Sequence, residues 1–91
     1  MKTLNLVLTF KWFDKIKSGE KTKEYREAKP YWNKRLGYKK YDLVKFQRGY
    51  TKNPETMIFK VNGIYLEQGL PNDLNISDGV WAIELGERIE Q

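Results

Sequence analysis

The sequence predicts an α+β domain in which about five short strands curl into a mixed or mostly antiparallel sheet or small barrel, with one or two short helices over one opening. Three observations carry this. Leu4, Leu6, Leu8 and Phe10 alternate with Asn5, Val7 and Thr9, the period of a strand with one buried face. Four further stretches of strand character follow, separated by turn formers rather than long helical segments. The chain has 91 residues, which suits one domain over residues 1–91, and at 40% hydrophobic and 14% aromatic it carries enough apolar material for a single core.

After the first strand, Trp12, Phe13 and Ile16 fall at i, i+1 and i+4 while Lys11, Asp14, Lys15 and Lys17 take the other side. This is a two-turn amphipathic helix that Ser18-Gly19 terminates. Trp12 and Phe13 point about 100° apart, so one is central to the core and the other can line a cleft. Residues 21–27 (KTKEYRE) alternate charged and less polar residues and read as a second strand, partly polar on both faces. Pro30 suits the first turn of a helix; Tyr31, Trp32, Arg35 and Leu36 continue it, and Gly37 ends it. Residues 42–46 form a third strand and 57–66 a fourth, with Gly63 as a bulge or bend. Residues 80–85 (VWAIEL) form the fifth, in which Trp81 is in phase with Ile83 and Leu85 and is assigned to the core. Residues 49–56 and 68–79 are loops, rich in turn formers such as Gly49, Asn53, Pro54, Pro71, Asn72 and Asp73.

Cysteine and histidine are both absent. That removes disulfides, Cys/His zinc sites, thiol nucleophiles and every scheme that needs an imidazole. No phosphate-loop motif or dinucleotide fingerprint occurs, and Asp42, Asp73 and Asp78 are too scattered to argue a metal site, so no cofactor and no metal is expected. No stretch approaches the roughly 20 apolar residues that cross a bilayer, and the short apolar run at the N-terminus has no small-residue cleavage site after it. A soluble, cytoplasmic protein with no membrane partner is the expectation.

The net charge of +5 hides an asymmetry: residues 11–52 carry fourteen Lys/Arg against five Asp/Glu, whereas residues 53–91 carry two against seven. Nine of the thirteen aromatics also lie in 11–52. Cations mixed with stacking surfaces suit a polyanion with exposed bases; a solvated basic face over an aromatic core gives the same composition.

The residues Gly19-Glu20-Lys21-Thr22-Lys23-Glu24-Tyr25-Arg26 read G-x-K-x-x-E-x-R without a mismatch. This resembles the signature of the ASCH domain family, in the PUA-like superfamily. The order of elements adds to the resemblance: an apolar strand, a helix WFDKIKSG, the signature, an aromatic short helix PYWNKRL and a terminal VWAIEL strand. The resemblance implies a PUA-like small mixed or antiparallel β-barrel of about five strands whose motif positions face an RNA, nucleotide or nucleoside ligand. Some members of the family are enzymes acting on RNA or on acylated nucleosides. In the acylcytidine amidohydrolase branch a motif lysine acts with a threonine and a glutamate, and Glu24 stands here where that threonine would be.

Without the family, Glu24 and Arg26 are two apart on a strand and share a face, whereas Lys21 has the opposite parity and joins them only if the chain bends at its entrance, which Gly19 makes cheap. The expectation is a pocket on the inner side of the barrel lined by Glu24 and Arg26, with Lys21 at its rim. Charges so placed are lightly buried and contribute no more than about 1 kcal/mol to stability. Trp12, Tyr31 and Trp32 are candidates for base stacking, with core packing as the other reading. Arg48 and Tyr50 flank Gly49 in a basic turn and are candidates for phosphate and base contact, against a solvated hairpin loop. Three functions follow: a module binding single-stranded RNA or a modified nucleotide in a basic cleft; a small hydrolase, a nucleoside amidohydrolase or ribonuclease, using Lys21 and Glu24; and a regulatory domain binding an acidic protein. The residues specify no oligomeric state.

Overall fold

All five segments of strand character join one sheet in the computed structural model, which describes residues 1–37, 39–69, 73–75 and 78–89. The elements run β1 (Thr3–Leu8), α1 (Phe10–Lys17), β2 (Lys23–Glu27), α2 (Pro30–Leu36), β3 (Leu43–Arg48), β4 (Thr56–Glu67) and β5 (Val80–Ile89). The sheet order is β1-β3-β4-β5-β2; β1 and β3 are parallel and the other three pairs antiparallel. The sheet curls into a half-barrel with the first two strands of the chain at its opposite edges.

The alternation in β1 does what its period requires. Leu4, Leu6 and Leu8 are buried, and the register sets Leu4 beside Val44 and Leu6 beside Phe46, which in turn lie beside Phe59 and Met57 of β4. One apolar stripe thus crosses three strands, with Phe46 and Phe59 edge to face at 6.0 Å. From above, α1 adds Phe13 and Ile16 and α2 adds Leu36. The helix thereby resolves the Trp12–Phe13 alternative: Phe13 has no exposed surface, and Trp12 is partly buried at the edge of the core.

Several boundaries move. β1 stops at Leu8 because Phe13 N–H already bonds the Thr9 carbonyl, so Phe10 opens α1, 46% exposed, instead of continuing the buried face. β2 starts at Lys23, so Lys21 lies before the strand. β5 extends to Ile89, because a bulged β4, with register shifts on both sides of Val61, still offers Ile58 and Phe59 as partners for Ile89 and Arg88. Gly63 sits at that irregularity. Trp81 is half-buried rather than central: its indole N–H reaches Asn33 Oδ1 of α2 at 2.8 Å, which keeps the ring at the core's margin, while Val80, Ala82 and Ile83 are fully covered. Tyr38, Pro71 and Asn72 lie outside the described residues.

No helix among the described residues is long and apolar enough to cross a membrane.

A charged cluster in the seam of the half-barrel

Because β1 and β2 are both edges, a seam remains where a closed barrel would have another ladder. The crossing contact is a side chain: Arg26 Nη2 on β2 donates to the Val7 carbonyl on β1 at 3.4 Å. A cavity of about 370 Å³ opens here, walled by Val7, Leu8 and Thr9, by Trp12 of α1, by Lys21, by residues 24–27 of β2, and by Asp73 and Leu74 from the connection between β4 and β5.

The turn after α1 delivers Lys21. Gly19 adopts φ +86°, a left-handed conformation that side chains disfavour, and the reversal lets Lys21 N–H bond the Lys15 carbonyl at 3.0 Å. The bend overcomes the parity mismatch. Lys21 does not stand at the rim, however: its side chain is only 7% exposed. Its ammonium lies 5.1 Å from the centre of the Trp12 ring and 4.9 Å from that of Tyr25, 3.5 Å from Glu24 Oε1, and is paired with Asp73 Oδ2. A four-carbon stem that can lie along two rings reaches inward, where two carboxylates attract its head.

Glu24 is the one charged residue among the described that counts as buried, at 6% exposure. Its Oε2 accepts from Arg26 Nη2 at 2.9 Å while Oε1 faces Lys21. Burial pushes the Glu24 carboxyl above its ordinary value, and Arg26 and then Lys21 pull it part of the way back. The expectation of a lightly buried pair is therefore corrected, since Glu24 has been taken out of water and depends on its cations. Arg26 also lies over Trp32, 5.0 Å from the ring centre, and its Nε is buried with no acceptor among the described residues.

Two cations and two carboxylates make the cluster formally neutral. The surplus charge is at the mouth. A second hollow of about 280 Å³ shares Trp12, Lys21, Tyr25 and Asp73 with the first and adds Lys15 and Lys23 against Glu20, a surplus of one positive charge. Lys11 and Lys15 approach the Trp12 ring at 4.8 and 5.5 Å, so cations surround this one indole.

Of the expected site residues, the structure brings together Lys21, Glu24, Arg26 and Trp12. Trp32 backs Arg26 from α2 without lining the cavity, and Tyr31, 61% exposed, packs edge-on against Trp32 at 4.9 Å. Arg48 and Tyr50 are not brought to the cavity. Arg48 donates to both carboxylate oxygens of Asp14, at 2.9 and 3.0 Å, and lies over Phe10; Tyr50 projects from the turn, 89% exposed. Asp73, Tyr25 and the Val7 carbonyl were not foreseen as parts of the site. Asp73 reads in the sequence only as a turn former, and it meets Lys21 across 52 positions, a distance no local spacing encodes. Among the described residues no three Asp or Glu side chains gather as a metal site would need.

No family model matches this chain, and no curated protein does either.

Proposed function

We propose that the seam cavity binds a nucleobase-bearing ligand, a looped-out nucleotide of single-stranded RNA or a modified nucleotide. One observation carries the reading: a buried carboxylate, a buried ammonium and a partly buried guanidinium stand together in a cavity walled in part by Trp12. A base edge presents donors and acceptors together, which Glu24, Arg26 and Lys21 can match, and Trp12 supplies a stacking surface. At about 370 Å³ the cavity is near the lower end for ligand pockets, a size suited to one base or nucleoside rather than a dinucleotide. The ASCH-like, PUA-like assignment belongs to the same proposal, supported by the convergence of Lys21, Glu24 and Arg26 from the G-x-K-x-x-E-x-R segment.

A second reading, a hydrolase of RNA or acylated nucleosides, is favoured by one feature: a carboxyl raised by burial, as Glu24 is, suits proton transfer. Against it stands the pairing of Lys21 with both Glu24 and Asp73, since an ion-paired ammonium has no lone pair with which to attack.

Thermal unfolding with nucleosides, nucleotides and short single-stranded RNAs tests the proposal. Ligand at about a hundred times its Kd should add about 2.7 kcal/mol, roughly 15 °C in a domain of this size. Absence of any shift with every base and oligonucleotide would end the reading. Lys21→Ala separates the two functions: a binder loses some affinity and shows no turnover at any stage, whereas a hydrolase loses turnover and keeps its substrate.

A further inference from the structure

A larger hollow lies elsewhere. A groove of about 600 Å³ runs between the end of α2, the segment that leads into β3, and the bulged part of β4. Its walls hold three rings, Tyr41, Tyr65 and Trp81, and two lysines, Lys39 and Lys40. Tyr65 is half exposed, and its ring lies against the backbone of Gly63, where a Cβ would collide with it. The missing side chain at the bulge thus makes room for a flat aromatic surface beside the groove. Trp81 is fixed by its bond to Asn33, and Tyr41 by its hydroxyl's bond to the Arg35 carbonyl at 2.8 Å. The rings are placed before any ligand arrives.

Lys39 and Lys40 are exposed and take part in no ion pair among the described residues. Asp42, the one acid among the described residues of the groove wall, accepts from the Lys2 backbone N–H at 2.8 Å. With two lysines against that one carboxylate, the groove carries a net positive charge beside its aromatic residues, unlike the neutral cluster in the seam. The two hollows are linked by α2: Trp32 on its first turn lies over Arg26 of the cavity, and Leu36 and Gly37 at its end line the groove. Seven helical residues span about 10 Å. Arg26 and Trp81 are also direct neighbours in the β2–β5 register.

We propose that the groove is a second nucleic-acid contact, which takes a further nucleotide of the same single strand whose looped-out base enters the seam cavity. Lys39 and Lys40 meet phosphates, and Tyr65 stacks on a base. The inference rests on the nucleotide reading of the cavity.

The test compares a ribonucleoside monophosphate with a single-stranded RNA decamer, over a range of salt, for the wild-type chain, Lys39→Ala/Lys40→Ala, Tyr65→Ala and Arg26→Ala, each first checked for folding by its melting curve. Both lysines are exposed, so their removal leaves the fold intact. The double lysine variant should bind the monophosphate as the wild type does, lose affinity for the decamer, and show a log K against log salt slope flatter by about 1.4, since each phosphate contact on a single strand contributes roughly 0.7. Tyr65→Ala should weaken the decamer about tenfold with the slope unchanged, as loss of one stacked base does. Decamer binding that ignores both groove substitutions but fails in Arg26→Ala overturns the groove and leaves the cavity reading standing. Failure of the wild type to bind either the monophosphate or the decamer removes the cavity reading and the groove with it. Loss of decamer binding in the lysine variant but not in Tyr65→Ala, with equal displacement by polyglutamate, also overturns the proposal, for it would mark the groove as a site for acidic protein.

Discussion

Removing Arg26 should expose how much of this domain's stability hangs on one buried carboxylate. In Arg26→Ala the Glu24 side chain, 8% exposed, loses its 2.9 Å partner and keeps Lys21 at 3.5 Å. Stripping one partner from a fully buried pair costs about 3–5 kcal/mol; with Lys21 retained and the guanidinium itself 21% exposed, about 2 kcal/mol is the expected loss. For 91 residues that lowers the melting temperature by roughly 10 °C. The cause also dictates a pH signature. Glu24 already holds its proton more tightly in the folded chain than its ordinary value of 4.5, so stability falls as pH rises from that value through the raised one. Loss of Arg26, the stronger of the two cations opposing the shift, carries the carboxyl higher and widens this window upward. The deficit of the variant relative to wild type should therefore be largest at pH 7 and shrink as pH falls toward 4.5, leaving only what Arg26 contributes through Trp32 and Val7. Circular-dichroism melts from pH 4.5 to 8, repeated in a Glu24→Gln background, measure it. An Arg26→Ala deficit that is the same at both ends of the range, and the same when Glu24 is already an amide, would refute the argument.

Three further outcomes follow from the contacts. Asp73→Asn removes one carboxylate from the Lys21 ammonium and leaves the cluster with a net positive charge, so a nucleoside monophosphate should gain several-fold in affinity over its nucleoside, by paired isothermal titrations; an unchanged ratio counts against the cluster facing the ligand. Arg48→Ala should leave monophosphate binding untouched, because Asp14 already occupies the guanidinium; in the same variant the Asp14 carboxyl, held below its ordinary value chiefly by the Arg48 hydrogen bond, should return toward it in an NMR titration. Gly49→Ala forces a side chain to φ +67° and into the Phe10 ring, and should cost about 1–2 kcal/mol, a melting decrease of roughly 5–15 °C.

Much of the site was legible because its ingredients are local. A shared strand face for Glu24 and Arg26 follows from a two-residue spacing, and a glycine two positions before Lys21 licenses the bend that brings the lysine to them. The division of labour between Trp12 and Phe13 follows from the helical turn. Depth was not legible. Whether Lys21 sits at a rim or inside depends on the Trp12 and Tyr25 rings and on Asp73, and the spacing of Lys21, Glu24 and Arg26 says nothing of Asp73. Arg48 shows the converse error: a basic residue beside a glycine and a tyrosine looks available until Asp14, 34 positions away, takes its guanidinium.

The sequence by itself determined the identity and order of the elements, because period-2 and period-3.6 burial, a proline in the first helical turn and a left-handed glycine are properties of a few consecutive residues. Only the tertiary structure decided which strands pair, and with them the site. Placing β1 and β2 at opposite edges leaves a seam, and Arg26 then meets Val7 across 19 positions and Lys21 meets Asp73 across 52. Such contacts are selected by how the curled sheet closes its core and by which buried charge finds a partner, energies that belong to pairs remote in the chain and that no window of neighbouring residues contains.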